Sequence, residues 1–334
     1  MLLITYHSMT CHKLYLRKQL VVYMRVTIDQ AVSLLREGKV VALPTETVYG
    51  LAASVSSEGA INQVYSLKGR PAKNPLILHI SSIDQLRPYL LSSPPELDRL
   101  VSAFWPGPLT LVLAVNADKI PERVRSGLKT AAFRVPGHAL TREVIARVGP
   151  LVMPSANLSG KPSSTDSEHV EHDFGSDFPV LDGGRTAHGL ESTILTYLDE
   201  RWWIARLGAI SAERLAEVLG YKPQVLQQRE GDLPIAPGQL YRHYAPNTRL
   251  VPLQEVPGYR GIVLGFADRE YPKAARVIVM GALGDPEGVA SNLYGVLRQL
   301  DEESIVEAAI DLQLPEGGLW PAILDRLRRA AQVR

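Results

Sequence analysis

Lys68, Arg70 and Lys73 fall within six residues of LKGRPAKNPLILHI (67–80), where Gly69, Pro71 and Pro75 stiffen the loop and an apolar run carrying His79 follows. Cations fixed on such a loop suit phosphoryl oxygens, whose charge they neutralise. Other polar segments sit at the ends of apolar runs in the same way. PTETVYG (44–50) offers two threonine hydroxyls, a carboxylate and a phenol, while FWPGPLT (104–110) and FRVPGH (133–138) bring up Thr110 and Arg134. MPSANLSGKPSST (153–165) presents Ser155, Asn157 and Ser163, GLEST (189–193) presents Ser192, and Arg206 ends the run WWIAR. Strand ends are where α/β folds collect functional groups. Singly, each segment is ordinary turn chemistry or a solvated basic loop. Together, three or four cations facing hydroxyl-rich turns describe a polyphosphate site.

Absences narrow the chemistry. There is no G-x-x-x-x-G-K-S/T loop, no strand-borne G-x-G-x-x-G and no H-E-x-x-H, so a nucleotide would be held without the common signatures. Cys11 is the single cysteine among 334 residues. That excludes an internal disulfide, a thiolate zinc cage and a Cys-x-x-Cys pair, and implies a cytoplasmic, reducing setting. Glu168, His169, Glu171, His172 and Asp173 have metal-ligand side chains, but without a further His or Cys nearby they read as a solvated helix face and no metal site is assigned. No Ser-His-Asp order is evident, so the chain is expected to position reactants rather than form a covalent intermediate. A net charge of +1 demands no polyanionic partner, so any RNA contact is expected to come from a local patch and to be weak. No apolar run approaches the roughly 18 residues of a membrane span.

These groups need a scaffold, and the hydrophobic pattern supplies one. Strands are predicted at 40–43, 75–80, 109–115, 130–135, 151–154, 179–182, 192–198 and 202–207, with helices at 58–68, 82–90, 95–104 and 139–148 between them. Thr27 with Gln30 forms a capping box, Thr165 with Glu168 marks another helix start, and Ser211 to Gly220 bounds a closing helix. The alternation predicts an α/β domain around a twisted mixed sheet over 25–220, preceded by an extension at 1–24. Residues 221–250 lack either period and read as a linker. After it, 251–334 read as a smaller Rossmann-like α/β domain with strands at 261–266, 275–281 and 305–314 and a helix at 286–303.

ALPTETVYGLAA, YSLKGRPAKNPLILHI, FWPGPLTLVL, FRVPGH, MPSANLSGKPS, DGG and ESTI stand in the order and spacing of the YrdC-like threonylcarbamoyl-AMP synthases. With APGQLYRHYAP and the α/β unit after it, the chain resembles the two-domain long form. The resemblance implies synthesis of L-threonylcarbamoyl-AMP from L-threonine, bicarbonate or CO2, and ATP with Mg2+, releasing pyrophosphate. It also implies delivery of the product to tRNA threonylcarbamoyl-transferase proteins that modify ANN-decoding tRNAs. Carried over by motif, Lys68 and Arg70 are the catalytic cations. Thr130, Ser155, Asn157, Ser163, Arg206 and Tyr244 join them around ATP, and Thr45, His79, Arg134 and Ser192 surround threonine. Tyr241, His243 and Tyr244 are expected to point into the cavity from a linker that covers it. Two rival readings are an RNA-binding module that uses the same basic concavity without turnover, and a carbamoyl-transfer maturation factor. The second is disfavoured because the chain lacks Cys-rich zinc segments.

Overall fold

The computed structural model describes residues 24–227 and 243–332. The expected extension, apart from Met24, and most of the linker, including Tyr241, lie outside the described residues.

Eight strands build the first sheet: β1 (Val41–Leu43), β2 (Gly50–Ser54), β3 (Ile77–His79), β4 (Leu109–Ala114), β5 (Thr130–Arg134), β6 (Leu151–Val152), β7 (Thr193–Leu198) and β8 (Arg201–Arg206). Their order is β1-β2-β6-β3-β5-β4-β7-β8. Only the β3/β5 and β4/β7 contacts are parallel, so the sheet is mixed as predicted. Helices α1 (Ile28–Arg36), α2 (Glu58–Lys68), α3 (Ile83–Leu86), α4 (Leu97–Phe104), α5 (Glu122–Arg125), α6 (Ala139–Val148), α7 (Ser167–Phe174) and α8 (Ala212–Leu219) accompany it. The Thr27 capping box forms, with Gln30 returning its side chain to the Thr27 backbone, and α1 buries Ala31, Val32 and Leu35. Leu35 packs with Val41, Leu43, Val144 and Ile145, which ties α1 and α6 to the β1 end of the sheet.

A second sheet comprises β9 (Arg249–Pro252), β10 (Ile262–Gly265), β11 (Arg276–Val279) and β12 (Glu307–Ile310), ordered β11-β10-β12-β9 and parallel throughout. A parallel sheet needs both faces covered. Helices α9 (Pro286–Glu302) and α10 (Trp320–Ala331) contribute Leu293, Leu297, Ile323 and Leu327 to its core.

Four expectations are corrected. GLAAS (50–54) forms β2, although PTETVYG reads as a turn that ends at Gly50; small residues carry little strand preference, and close packing selects them here, since a Cβ on Gly50 would lie 3.1 Å from Met153. PVLD (179–182) makes only isolated bridges, from Val180 to Arg25 and Ala42. Helix α7 is capped by Asp166, whose carboxylate accepts from the Glu168 amide, because Thr165 is drawn to His169 instead. Both described ends of the linker pair with sheets: Val225 bridges to Ile204, and residues 249–252 are β9.

Candidate active site

Strand register assembles the polar groups in one row. His79 pairs with Arg134 across β3 and β5, and Ile194 pairs with Arg206 across β7 and β8. Between them, Leu111 opposite Phe133 sets Thr110 beside Arg134, and Thr110 is opposite Ile194. Successive strand residues alternate faces, so Ile77, Val112 and Ala132 follow on this side, and with Ile194 and Ala205 they form a small apolar patch. Above the row lies a cavity that His79, Arg134, Ser192 and Arg206 line.

Nine of the twelve site residues expected from the sequence line this cavity: Arg70, His79, Arg134, Ser155, Asn157, Ser163, Ser192, Arg206 and Tyr244. His243 lines it too. Three do not. The Thr45 hydroxyl is used in its own turn, donating to the Val48 carbonyl at 2.6 Å and accepting from the Val48 amide, and Thr45 borders a second hollow with Glu46, His138 and His188. Thr130 is on the same face of β5 as Arg134 but four residues away, about 13 Å along the strand. Lys68 is 4 % exposed, and its ammonium donates to the Ser155 and Asn157 carbonyls instead of projecting into the cavity. A lysine ending α2 beneath this turn finds its acceptors in the Ser155 and Asn157 carbonyls.

Sequence reasoning did not single out Thr47, Lys161 or Glu191, which also line the cavity. Each lies inside a segment already marked as polar, so the signal reached the segment but not the residue. Thr47 accepts from Arg134 at 2.9 Å, and the same guanidinium donates to Glu46 at 2.6 Å.

Among the described residues, the cavity wall carries four cationic side chains, Arg70, Arg134, Lys161 and Arg206, against one carboxylate, Glu191. Of these, Arg134 pairs with Glu46 and Lys161 with Asp301. Arg70 is anchored by the Asn74 and Pro75 carbonyls, and burial lowers its pKa to about 10. Arg206 donates to the Ser192 carbonyl and hydroxyl, and Ser192 shares a 2.7 Å hydrogen bond with Thr110. Burial opposes ionisation of Glu191, yet Arg326 and Arg206 hold its pKa at about 2. Two buried polar atoms of the wall, Asn157 Oδ1 and His243 Nε2, have no hydrogen-bond partner. Asn157 Nδ2 donates to the Leu158 and Lys161 carbonyls, which fixes the amide orientation and leaves Oδ1 as an acceptor for a ligand.

His79 faces the Ile77 carbonyl through Nδ1 at 3.2 Å, which makes Nε2 the acceptor nitrogen of a neutral ring. Burial, reinforced by Arg134, pushes its pKa down to about 3, and burial lowers His243 to about 3 and His169 to about 4. Unfolded, each imidazole titrates near 6.5, so the unfolded chain takes up the protons. The stability these rings confer is complete above pH 6.5 and is lost as pH falls toward their folded values, by about 1.4 kcal/mol per pH unit for each ring. Melting temperature is therefore expected to fall steadily from pH 7 to pH 5, above the range where Glu191 begins to matter. A flat profile over that interval would show that the rings are not held neutral.

Residues 33–208 match a family model described as Telomere recombination, and residues 210–332 match one described as Threonylcarbamoyl-AMP synthase, C-terminal domain. The threonylcarbamoyl-AMP synthase of Bacillus subtilis (strain 168) is 40% identical over 330 residues, covering 92% of this chain and 93% of its own. That of Pyrococcus abyssi (strain GE5 / Orsay) is 38% identical, covering 91% and 94%. The crystal structure of P. abyssi Sua5 complexed with L-threonine superposes with a TM-score of 0.83 at 35% identity, covering 94% of this chain and 98% of that one. With both sequence units matched and the full architecture shared, the chain belongs to the YrdC-like threonylcarbamoyl-AMP synthase family, in its two-domain long form.

Proposed function

We propose that this chain joins L-threonine, CO2 or bicarbonate, and ATP into L-threonylcarbamoyl-AMP with release of pyrophosphate, as the first step of N6-threonylcarbamoyladenosine formation in ANN-decoding tRNAs. The observation that carries this reading is the convergence of four cations, a neutral imidazole and the unpartnered Asn157 Oδ1 on one cavity, in a chain whose two units both match the family.

The threonine amine adds to CO2, loses a proton and becomes a carbamate. A carbamate oxygen then attacks the α-phosphorus of ATP, and the bond to the β-phosphate bridging oxygen breaks as pyrophosphate departs. Little covalent chemistry is asked of the protein in such a transfer, so positioning and charge do most of the catalysis. Arg70 and Arg206 are assigned to the phosphates. The Asn157 acceptor and Ser163 are assigned to the nucleotide, with the apolar patch around Ala132 running from Arg134 toward Thr130 as the bed for its base. Arg134, steadied by Glu46 and Thr47, is assigned to the threonine carboxylate, which a guanidinium pairs bidentately. His79 Nε2 and Ser192 are assigned to the substrate hydroxyl. A site that pairs a substrate hydroxyl rejects an isostere lacking it, because its own polar groups then go unpaired.

The donor set does not form a protein cage for Mg2+. Among the described residues no group of three or more His, Cys, Asp or Glu is placed to hold a metal, and Glu191 is saturated by Ser163, Tyr294 and Arg326. Mg2+ is assigned to the nucleotide substrate, on whose phosphates it is carried. The product is a reactive mixed anhydride, which calls for hand-over to a tRNA-modifying transferase. Among the described residues no helix is long and apolar enough to cross a membrane, and a cytoplasmic location is proposed from the single cysteine.

Pyrophosphate release from ATP, measured with Mg2+ and bicarbonate, tests the reading. Release is expected with threonine, and at least about 100-fold less with valine. RNA binding that weakens steeply with salt, with no release under any condition, would instead favour the binding-module alternative.

A further inference from the structure

Glu191 immediately precedes Ser192 in the cavity wall, and two of the groups that hold it come from the second unit. Tyr294 of α9 donates to both carboxylate oxygens at 2.8 Å, and Arg326 of α10 donates through Nε at 2.9 Å. Ser163, itself in the wall, donates at 2.7 Å. Tyr294 and Arg326 are fully buried. They also form the seat of Tyr244: the Tyr244 ring stacks on Tyr294 with centroids 5.4 Å apart, and the Arg326 guanidinium lies 5.0 Å from its centroid. A further bond from Arg326 to the Leu207 carbonyl, 2.7 Å, fixes the residue after Arg206. Two side chains of the second unit thus hold two wall residues of a cavity whose other described lining, His243 aside, comes from the first.

Simple adhesion between the units is an insufficient account. A buried ion pair contributes little net stability, because desolvation offsets most of the attraction, and apolar residues often serve as well. The position of this pair gives it a different consequence. A carboxylate in a wall with four cations would, if unheld, turn to the nearest guanidinium and compete with phosphate for it. Saturated by two hydroxyls and Arg326, Glu191 stays where it is, and Arg206 keeps its bonds to Ser192.

We propose that Tyr294 and Arg326 are positioning residues through which the C-terminal unit completes the ATP side of the cavity, by fixing Glu191 and Tyr244. The inference rests on the assignment of ATP to this cavity, and the experiment separates the two. In the full chain, Arg326→Met leaves Glu191 buried without its cation and is expected to lower melting temperature. It is also expected to raise KM for ATP at least 10-fold, with KM for threonine within about threefold. Adding Glu191→Gln removes the stranded charge, so the double variant is expected to recover melting temperature while KM for ATP stays high. Arg326→Lys, which restores a cation, is expected to recover part of the ATP affinity. Recovery of both melting temperature and KM for ATP in the double variant would overturn the proposal and leave a purely structural pair. So would an equal rise in both KM values, or no change. If the unmodified chain releases no pyrophosphate, the functional reading fails and takes this inference with it; if it does and the variants match it, only the inference fails.

Discussion

Replacing Lys68 with methionine is expected to reduce threonine-dependent pyrophosphate release at least about 100-fold while shifting melting temperature by only a few degrees. Lys68 is the last residue of α2, and Gly69, at φ 62°, turns the chain away so that the lysine side chain runs inward. Its ammonium bridges the Ser155 and Asn157 carbonyls, and its own carbonyl accepts from the Ser159 amide. Burial and the neighbouring Arg70 lower its pKa well below the ordinary lysine value, a sign that the charged form is costly there. Methionine fills a similar volume and removes that cost, which offsets the hydrogen bonds lost, each worth about 1.5–3 kcal/mol. Function has no such compensation. Released from Lys68, the turn no longer holds Asn157 Oδ1 and Ser155 at fixed positions. Alanine would confound the result by adding a cavity, so methionine is the informative change. Activity within threefold of the unmodified enzyme would reduce Lys68 to a packing residue, and a large drop in melting temperature would make lost activity uninformative about the turn.

Lys68 also shows where sequence reasoning stopped. That 67–80 carried a cationic loop into the site was legible, because the apolar period, the glycine and the prolines all act locally. Which cation faces the cavity was not. Arg70 and Lys68 are two residues apart, and the choice depends on carbonyls contributed by a turn nearly ninety residues further on. Strand β2 was missed for a related reason: GLAAS has no alternation because both its faces are buried, and what makes small residues suitable is the closeness of Met153. Glu191 was visible only as one letter of ESTI. Its partners Tyr294 and Arg326 lie more than a hundred residues away on amphipathic helices. Nothing in a helical period marks one inward arginine as the partner of a carboxylate in another unit. Strand ends and turns could be read from local chemistry, whereas the pairing of buried charges depended on tertiary packing.

That dependence gives the second large effect, at a residue with no side chain. Gly189→Ala is expected to cost about 3 kcal/mol or more of stability and to depress activity with it. Gly189 has φ +64°, and a Cβ there would lie 2.4 Å from the Ala290 carbonyl oxygen and 2.5 Å from the Ser291 Cα. Both are backbone atoms of α9, so no rotamer change relieves the overlap and the helix itself must move. The left-handed backbone adds about 1–2 kcal/mol for any L side chain. Gly220→Ala is the control, since it has φ +80° with no atom within 4 Å of the added methyl, and should show that strain alone. The difference between the two variants measures the wedge driven between the loop and α9. Moving α9 displaces Tyr294 from Glu191 and Arg298 from Asp173, the Pro162 carbonyl and Ser164. Those bonds brace the loops that carry Ser163 and Ser192, so loss of ATP affinity should accompany loss of stability for Gly189→Ala and be absent for Gly220→Ala. Equal melting temperatures for the two variants would mean that α9 yields without cost, and the C-terminal unit would then be a neighbour of the cavity instead of a brace for its wall.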